Sequence, residues 1–335
     1  MPTSFPIEII RLFIEESRDW MPTLLQLALV SKDCMVESRK YTFERLELVQ
    51  YGQNPRINCD RIKEFHRLVT ANIALGSHVR HLDLGMELET FNSINPNICA
   101  EELPAILLLL PELTSLSITC HLIGPESDRD WNTWPCQLKA SISRCCSSPT
   151  ISSLHFSDIR NFPCEILTFP PNLKHLSLIQ VVGSEGESEL PVTQTQRLES
   201  VSILGEWSVV AKCVLANPSF ISCLTKLYWY IFDQEDMAVL GRVVREISGS
   251  LQELSVEFYR GCPPLGSTVT PLPHLKRLII SSELNINPLF QILTNHRNFY
   301  QELVQSQHEL EDLLFTFEVS PQIDSENLTI RGVQS

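Results

Sequence analysis

The side chains of this sequence that could do chemistry are its eleven cysteines and nine histidines. A cysteine nucleophile needs a base and an orienting group within hydrogen-bond reach, and a structural zinc needs four ligands at recognisable spacing. His78 and His81 form an H-x-x-H, but Val79 and Leu82 belong to an apolar pattern that recurs along the chain, and spacing places no third ligand near them. The cysteines are odd in number, irregularly spaced and without a C-x-x-C. Cys145 and Cys146 are adjacent, Cys164 follows Pro163 and Cys213 lies in an apolar stretch. All four read as small packing residues. The sequence lacks G-x-G-x-x-G, a P-loop, G-x-S-x-G and H-E-x-x-H. The expectation is a non-catalytic chain that uses no metal and no cofactor.

What must position any binding residue instead is a hexamer, L-x-x-L-x-L, with Ile, Val or an aromatic allowed for Leu. It starts at Phe43, Val79, Leu113, Ile151, Leu173, Leu198, Leu224, Leu251, Leu275 and Leu310, at intervals of 22 to 38 residues. Such intervals are those of solenoid repeats. Helical patterns over residues 60–76, 100–110, 137–146 and 234–248 precede several copies, so helix and strand alternate and a parallel sheet is expected. In a strand, side chains alternate between faces. Positions four and six of each hexamer therefore turn into a core, and positions three, five and seven turn away from it. Small hydroxyl residues dominate that outward row before residue 226. After it the row becomes large, charged and aromatic, and Lys226, Tyr228, Tyr230, Glu257 and Arg277 are the candidate contacts for a protein target.

Composition narrows the partner. A chain of 335 residues, 43% hydrophobic and carrying a net charge of −14, can bury a large core. It presents no basic stripe to attract nucleic acid. No apolar run approaches the roughly 20 residues that span a bilayer, and Met1 to Ser4 lack the basic start of a secretion signal. We expect a cytoplasmic or nuclear protein that binds neither nucleic acid nor membrane and meets a partner with basic patches.

Residues 5–48 differ from the repeats. Pro6 precedes Ile9, Ile10, Phe13 and Ile14 at helical spacing; Pro22 opens a second helix whose apolar stripe runs through Leu24, Leu27, Ala28 and Cys34, beside Leu25, Leu29 and Val30. Three helices in so few residues cannot enclose a sufficient core, and their outer apolar face is expected to meet another protein. The stretch Phe5 to Ile10, then Leu24 to Asp33, then Tyr41 to Leu46 resembles the F-box motif, with Phe5 where Leu is usual and Cys34 where Trp is common. The whole is similar to F-box proteins with divergent leucine-rich repeats, whose asparagine at position nine is replaced here by Glu87, His121, Ile159, Val181, Glu206, Phe232, Tyr259 and Glu283. That resemblance implies an α/β leucine-rich-repeat solenoid, a horseshoe with helices on its convex side, at 51–319, preceded by a three-helix F-box at 1–50 and followed by a frayed tail at 320–335. It also implies a substrate-recognition subunit of a Skp–cullin–F-box ubiquitin ligase. The Skp adaptor, and through it a cullin, would dock on Phe5, Pro6, Ile9, Ile10, Leu27, Val30 and Cys34. The alternative is a leucine-rich scaffold outside any ligase, with the helices as a cap.

Overall fold

A computed structural model describes residues 6–48, 55–86, 101–120, 129–168, 170–183, 197–205, 221–231, 234–258, 272–284 and 310–319. Phe5 and the expected tail lie outside them. Among the described residues no helix is long and apolar enough to cross a membrane. The chain divides into two compact units, Met1–Leu224 and Thr225–Ser335, inside the stretch that the hexamers mark as one array.

The first unit opens with α1 (Ile7–Glu16), α2 (Met21–Leu27) and α3 (Lys32–Thr42). Strands β1 (Arg45–Glu47), β2 (His81–Met86), β3 (Ser115–Cys120), β4 (Ser153–Ser157), β5 (His175–Ile179) and β6 (Ser200–Leu204) follow. Between them lie α4 (Pro55–Ala71), α5 (Ile73–Gly76), α6 (Leu103–Leu108) and α7 (Cys136–Cys146). The second unit holds β7 (Lys226–Ile231), α8 (Gln234–Glu246), β8 (Glu253–Phe258), β9 (Arg277–Leu284) and β10 (Asp312–Val319). The fold is α/β, with ten parallel strands in chain order.

Every strand begins at the third position of its hexamer, and within each unit the register pairs each hexamer position with its equivalent in the next copy. His81 lies opposite Ser115, Ser115 opposite Ser153 and Ser153 opposite His175. Lys226, Glu253, Arg277 and Asp312 form the matching series in the second unit. This alignment stacks leucine on leucine: Leu82, Leu116, Leu154 and Leu176 at position four are all buried, as are Leu84, Ile118, Phe156 and Leu178 at position six. Each contributes roughly 1.5–3 kcal/mol of burial, available only because a neighbouring strand supplies the covering surface. The last strand departs from the pattern. Leu313 of β10, which pairs with β9 alone among the described residues, is 41% exposed.

The helices bury one stripe each, on the side of the sheet where positions four and six point. α4 turns Cys59, Ile62, Phe65 and Val69 inward, and α7 turns Leu138, Ile142, Cys145 and Cys146 inward. α4 starts at Pro55 rather than near Asp60, a proline at the first helical position costing no hydrogen bond. In the irregular stretch before α7, Trp131 and Trp134 are core residues, with ring centroids 4.8 Å apart and Phe162 5.9 Å from Trp131.

Main-chain groups close both ends of the strands where an asparagine ladder is missing. At the leading end, the carbonyl of hexamer position two accepts from two successive amides of the next copy. Arg80 O takes Thr114 N and Ser115 N, and Gln252 O takes Lys276 N and Arg277 N. At the trailing end, position eight turns left-handed in three successive copies, Asp158 at φ 59°, Gln180 at φ 50° and Gly205 at φ 120°. Asp158 N thereby reaches Ile179 O at 2.7 Å, and Gln180 N donates to Leu204 O. A side chain at Gly205 would place its Cβ 2.7 Å from Gln180 Cα, so that coil requires glycine. Ile159 and Val181, at position nine, are buried apolar residues. Asparagine at those two positions would bury an amide where these coils bury hydrocarbon.

Candidate functional site

The N-terminal helices have a very small core of their own. Ile14 of α1, Leu24 of α2 and Cys34 of α3 fill it, with Ile10, Leu27 and Tyr41 packed at its edge. Cys34 does not continue the second helix. That helix ends at Leu27, and Ser31 caps α3 by accepting the Cys34 amide on its hydroxyl at 3.1 Å. Glu37 joins α3 to α1, accepting from Lys40 Nζ at 2.7 Å and Arg11 Nε at 3.2 Å. The Lys40 hydrogen bond holds its carboxyl below the usual carboxylate range.

The outer surface of these helices is apolar. Ile9, Leu12 and Phe13 of α1 are exposed, as are Met21 and Leu25 of α2, and Trp20 before it. Leu29 is 87% exposed and Val30 70%, in the turn between α2 and α3. Among the residues expected to meet an adaptor, Pro6, Ile9 and Val30 are on this surface, and Ile10 and Leu27 lie half-buried at its base. Cys34 is a correction: at 3% exposed it is part of the core and presents no surface to a partner. The reason is its place as the third residue of a capped helix, turned toward Ile14 and Leu24. Leu12, Trp20 and Leu29 widen the surface beyond the residues expected to meet the adaptor.

The five residues expected to contact a target all lie on the same face of the second unit, each beside a partner on a neighbouring strand. Lys226 Nζ is 3.0 Å from Glu253 Oε2, and Arg277 donates to Asp312 Oδ2 from Nε at 3.0 Å and Nη2 at 2.9 Å. Arg277 Nη1 lies 3.9 Å from Glu253 Oε1, completing a ladder of alternating charge along hexamer position three. The Asp312 carboxylate raises the Arg277 guanidinium pKa further. Tyr228 Oη donates to Glu257 Oε2, and Tyr230 is the register neighbour of Glu257. Glu253 and Asp312 were the residues to add. Opposite charges at the same hexamer position of consecutive copies are the signal that finds them.

The outward face of the first unit carries hydroxyls and histidines. Ser117 Oγ lies 3.0 Å from Asp83 Oδ1, to which it donates, and His155 occupies the same position on the next strand. Serine, histidine and aspartate thus share a row, but a nucleophilic serine must donate to the histidine. Here it donates to the carboxylate, so the row is not an acyl-transfer arrangement. Burial pushes the Cys145 thiol up to about 12 and that of Cys146 well above its ordinary value. Neither supplies a thiolate nucleophile. Among the described residues no group of three or more His, Cys, Asp or Glu could hold a metal.

Burial also lowers the His155 pKa, against the opposing pull of Asp83 and Asp158. The unfolded chain, with a histidine pKa near the ordinary value of about 6.5, therefore takes up its proton first as pH falls. Stability should therefore decline as pH falls through the ordinary histidine range, and His155→Phe should flatten part of that decline. Thermal melts across this range check it. A His155→Phe protein with the wild-type pH slope would refute it. His78 and His81 are lowered by burial in the same direction and should add to the decline.

No family model matches this chain, and no curated protein matches it.

Proposed function

We propose that the chain is the substrate-recognition subunit of a Skp–cullin–F-box ubiquitin ligase. On this reading the N-terminal helices dock on the Skp adaptor and the outward face of a leucine-rich-repeat solenoid holds a protein target. The observation that carries the proposal is the apolar surface of α1 and α2 and the turn after α2, where Leu29 and Val30 lie open to solvent above a core of three buried residues. An isolated protein keeps few such patches, and one on so small a subdomain marks a contact with another chain. A cap on the repeats would spend these residues against the first coil. The in-phase hexamers supply the second half of the reading, because they leave the side chain at position three unburied in every copy. The protein itself would break no bond. Ubiquitin transfer gains from the effective concentration of target lysines held near the conjugating enzyme.

The test is co-purification of the intact chain with a Skp adaptor, followed by addition of the cullin. A stoichiometric complex supports the reading. A folded chain that fails to bind any Skp adaptor would leave the scaffold, with its protein partner and no ligase role.

A further inference from the structure

The ladder Lys226, Glu253, Arg277 and Asp312 neutralises itself, two cations against two carboxylates. Among the described residues, Glu257 is an acid on this face that the ladder leaves over. Its Oε2 accepts the Tyr228 hydroxyl, and among the described residues its Oε1 has no hydrogen-bond partner. The carboxylate is half-buried, a setting in which a negative charge gains more from a nearby cation than it does in open solvent. Tyr230 stands directly opposite Glu257 in the register, one strand spacing or about 4.8 Å away, on the same face. A phenol ring beside a carboxylate offers a cation two attractions at once, the negative face of the ring and the formal charge. Tyr228 adds preorganisation, since its hydroxyl fixes the carboxylate before anything arrives.

We propose that Glu257, Tyr228 and Tyr230 form a subsite for one cationic side chain, a lysine or arginine, of the protein bound on this face. The inference rests on the reading that this face holds a target, and it names the chemistry the target must carry. The net charge of −14 favours the same partner at long range. An acidic or phosphorylated segment would meet Glu257 with no cation left unpaired in the ladder, and is disfavoured.

The test uses the full chain and a random peptide library displayed on phage. Wild-type protein should select peptides with Lys or Arg at one fixed position, and Glu257→Gln should abolish that preference. A selected peptide should bind Glu257→Gln roughly tenfold more weakly, the usual loss when one partner of a charge-assisted hydrogen bond becomes neutral. Norleucine at the selected position should cost the same in wild type, and Tyr230→Ala should lose part of the affinity. Exchanging Lys and Arg in the peptide tells ammonium from guanidinium. Selection without a fixed cationic position, or equal selection by Glu257→Gln, overturns the subsite. Adaptor co-purification of the same proteins keeps the two readings apart. Cationic selection without adaptor binding removes the ligase role alone, and adaptor binding without cationic selection removes the subsite alone.

Discussion

Replacing Leu29 and Val30 together by aspartate should abolish adaptor co-purification while leaving the fold intact. Both side chains project from the turn after α2, 87% and 70% exposed, so carboxylates there stay hydrated in the free protein. The main-chain bonds of the turn, Leu29 N to Gln26 O at 3.0 Å and Val30 N to Leu27 O at 3.0 Å, do not depend on either side chain. In a complex the same carboxylates would be stripped of water against an apolar partner, and each buried charge without a counter-ion costs several kcal/mol. A loss of more than about a hundredfold in affinity follows, with a thermal midpoint within a few degrees of wild type. Leu24→Asp is the contrast. It charges a fully buried member of the three-residue core and should unfold the helices themselves. Undiminished binding by the double variant would place the adaptor contact elsewhere or remove it.

Gly76→Ala should be strongly destabilising for a single-methyl change. A Cβ on Gly76 would lie 2.0 Å from the carbonyl oxygen of Leu109, at the end of α6, and 3.3 Å from Val69 Cγ1 on α4. The near atom is backbone, so relief requires α5 and α6 to move apart, and the buried surfaces of both helices move with them. Overpacking of this kind costs about 1–3 kcal/mol and occasionally more, from a total stability of roughly 5–15 kcal/mol. The sign is diagnostic. A glycine serving only as a helix stop in open solvent would tolerate alanine, which favours helix by roughly 0.5–1 kcal/mol. Urea unfolding distinguishes the two, and an unchanged or raised midpoint would refute the close-packing account.

Much of this architecture was legible because the strands obey a period of two and the helices a period of 3.6. The α7 stripe through Leu138, Ile142 and Cys145, and the stripe of α8 through Leu240 and Val243 that continues to Ile247 just past its end, follow from spacing alone. What escaped were places where one residue served a purpose set by a distant neighbour. Gly76 closes the helical pattern of residues 60–76, and the backbone that crowds it, at Leu109, lies 33 residues on. Cys34 reads as surface because the helix boundary at Ser31 depends on a single side-chain hydrogen bond. Trp131 and Trp134 belong to no periodic stripe, and the ring that packs on Trp131, Phe162, lies beyond α7 and β4.

The sequence by itself determined which side chains share a row: hexamers in phase stack leucines on leucines and leave positions three, five and seven together on the other side. It could not determine which members of that outward row satisfy one another. Lys226 with Glu253, Arg277 with Asp312 and Tyr228 with Glu257 are partners across 27 to 35 residues of chain. Only the parallel pairing of neighbouring strands brings them within hydrogen-bond range, because an attraction of a few ångströms' reach acts between positions in space, not along the chain.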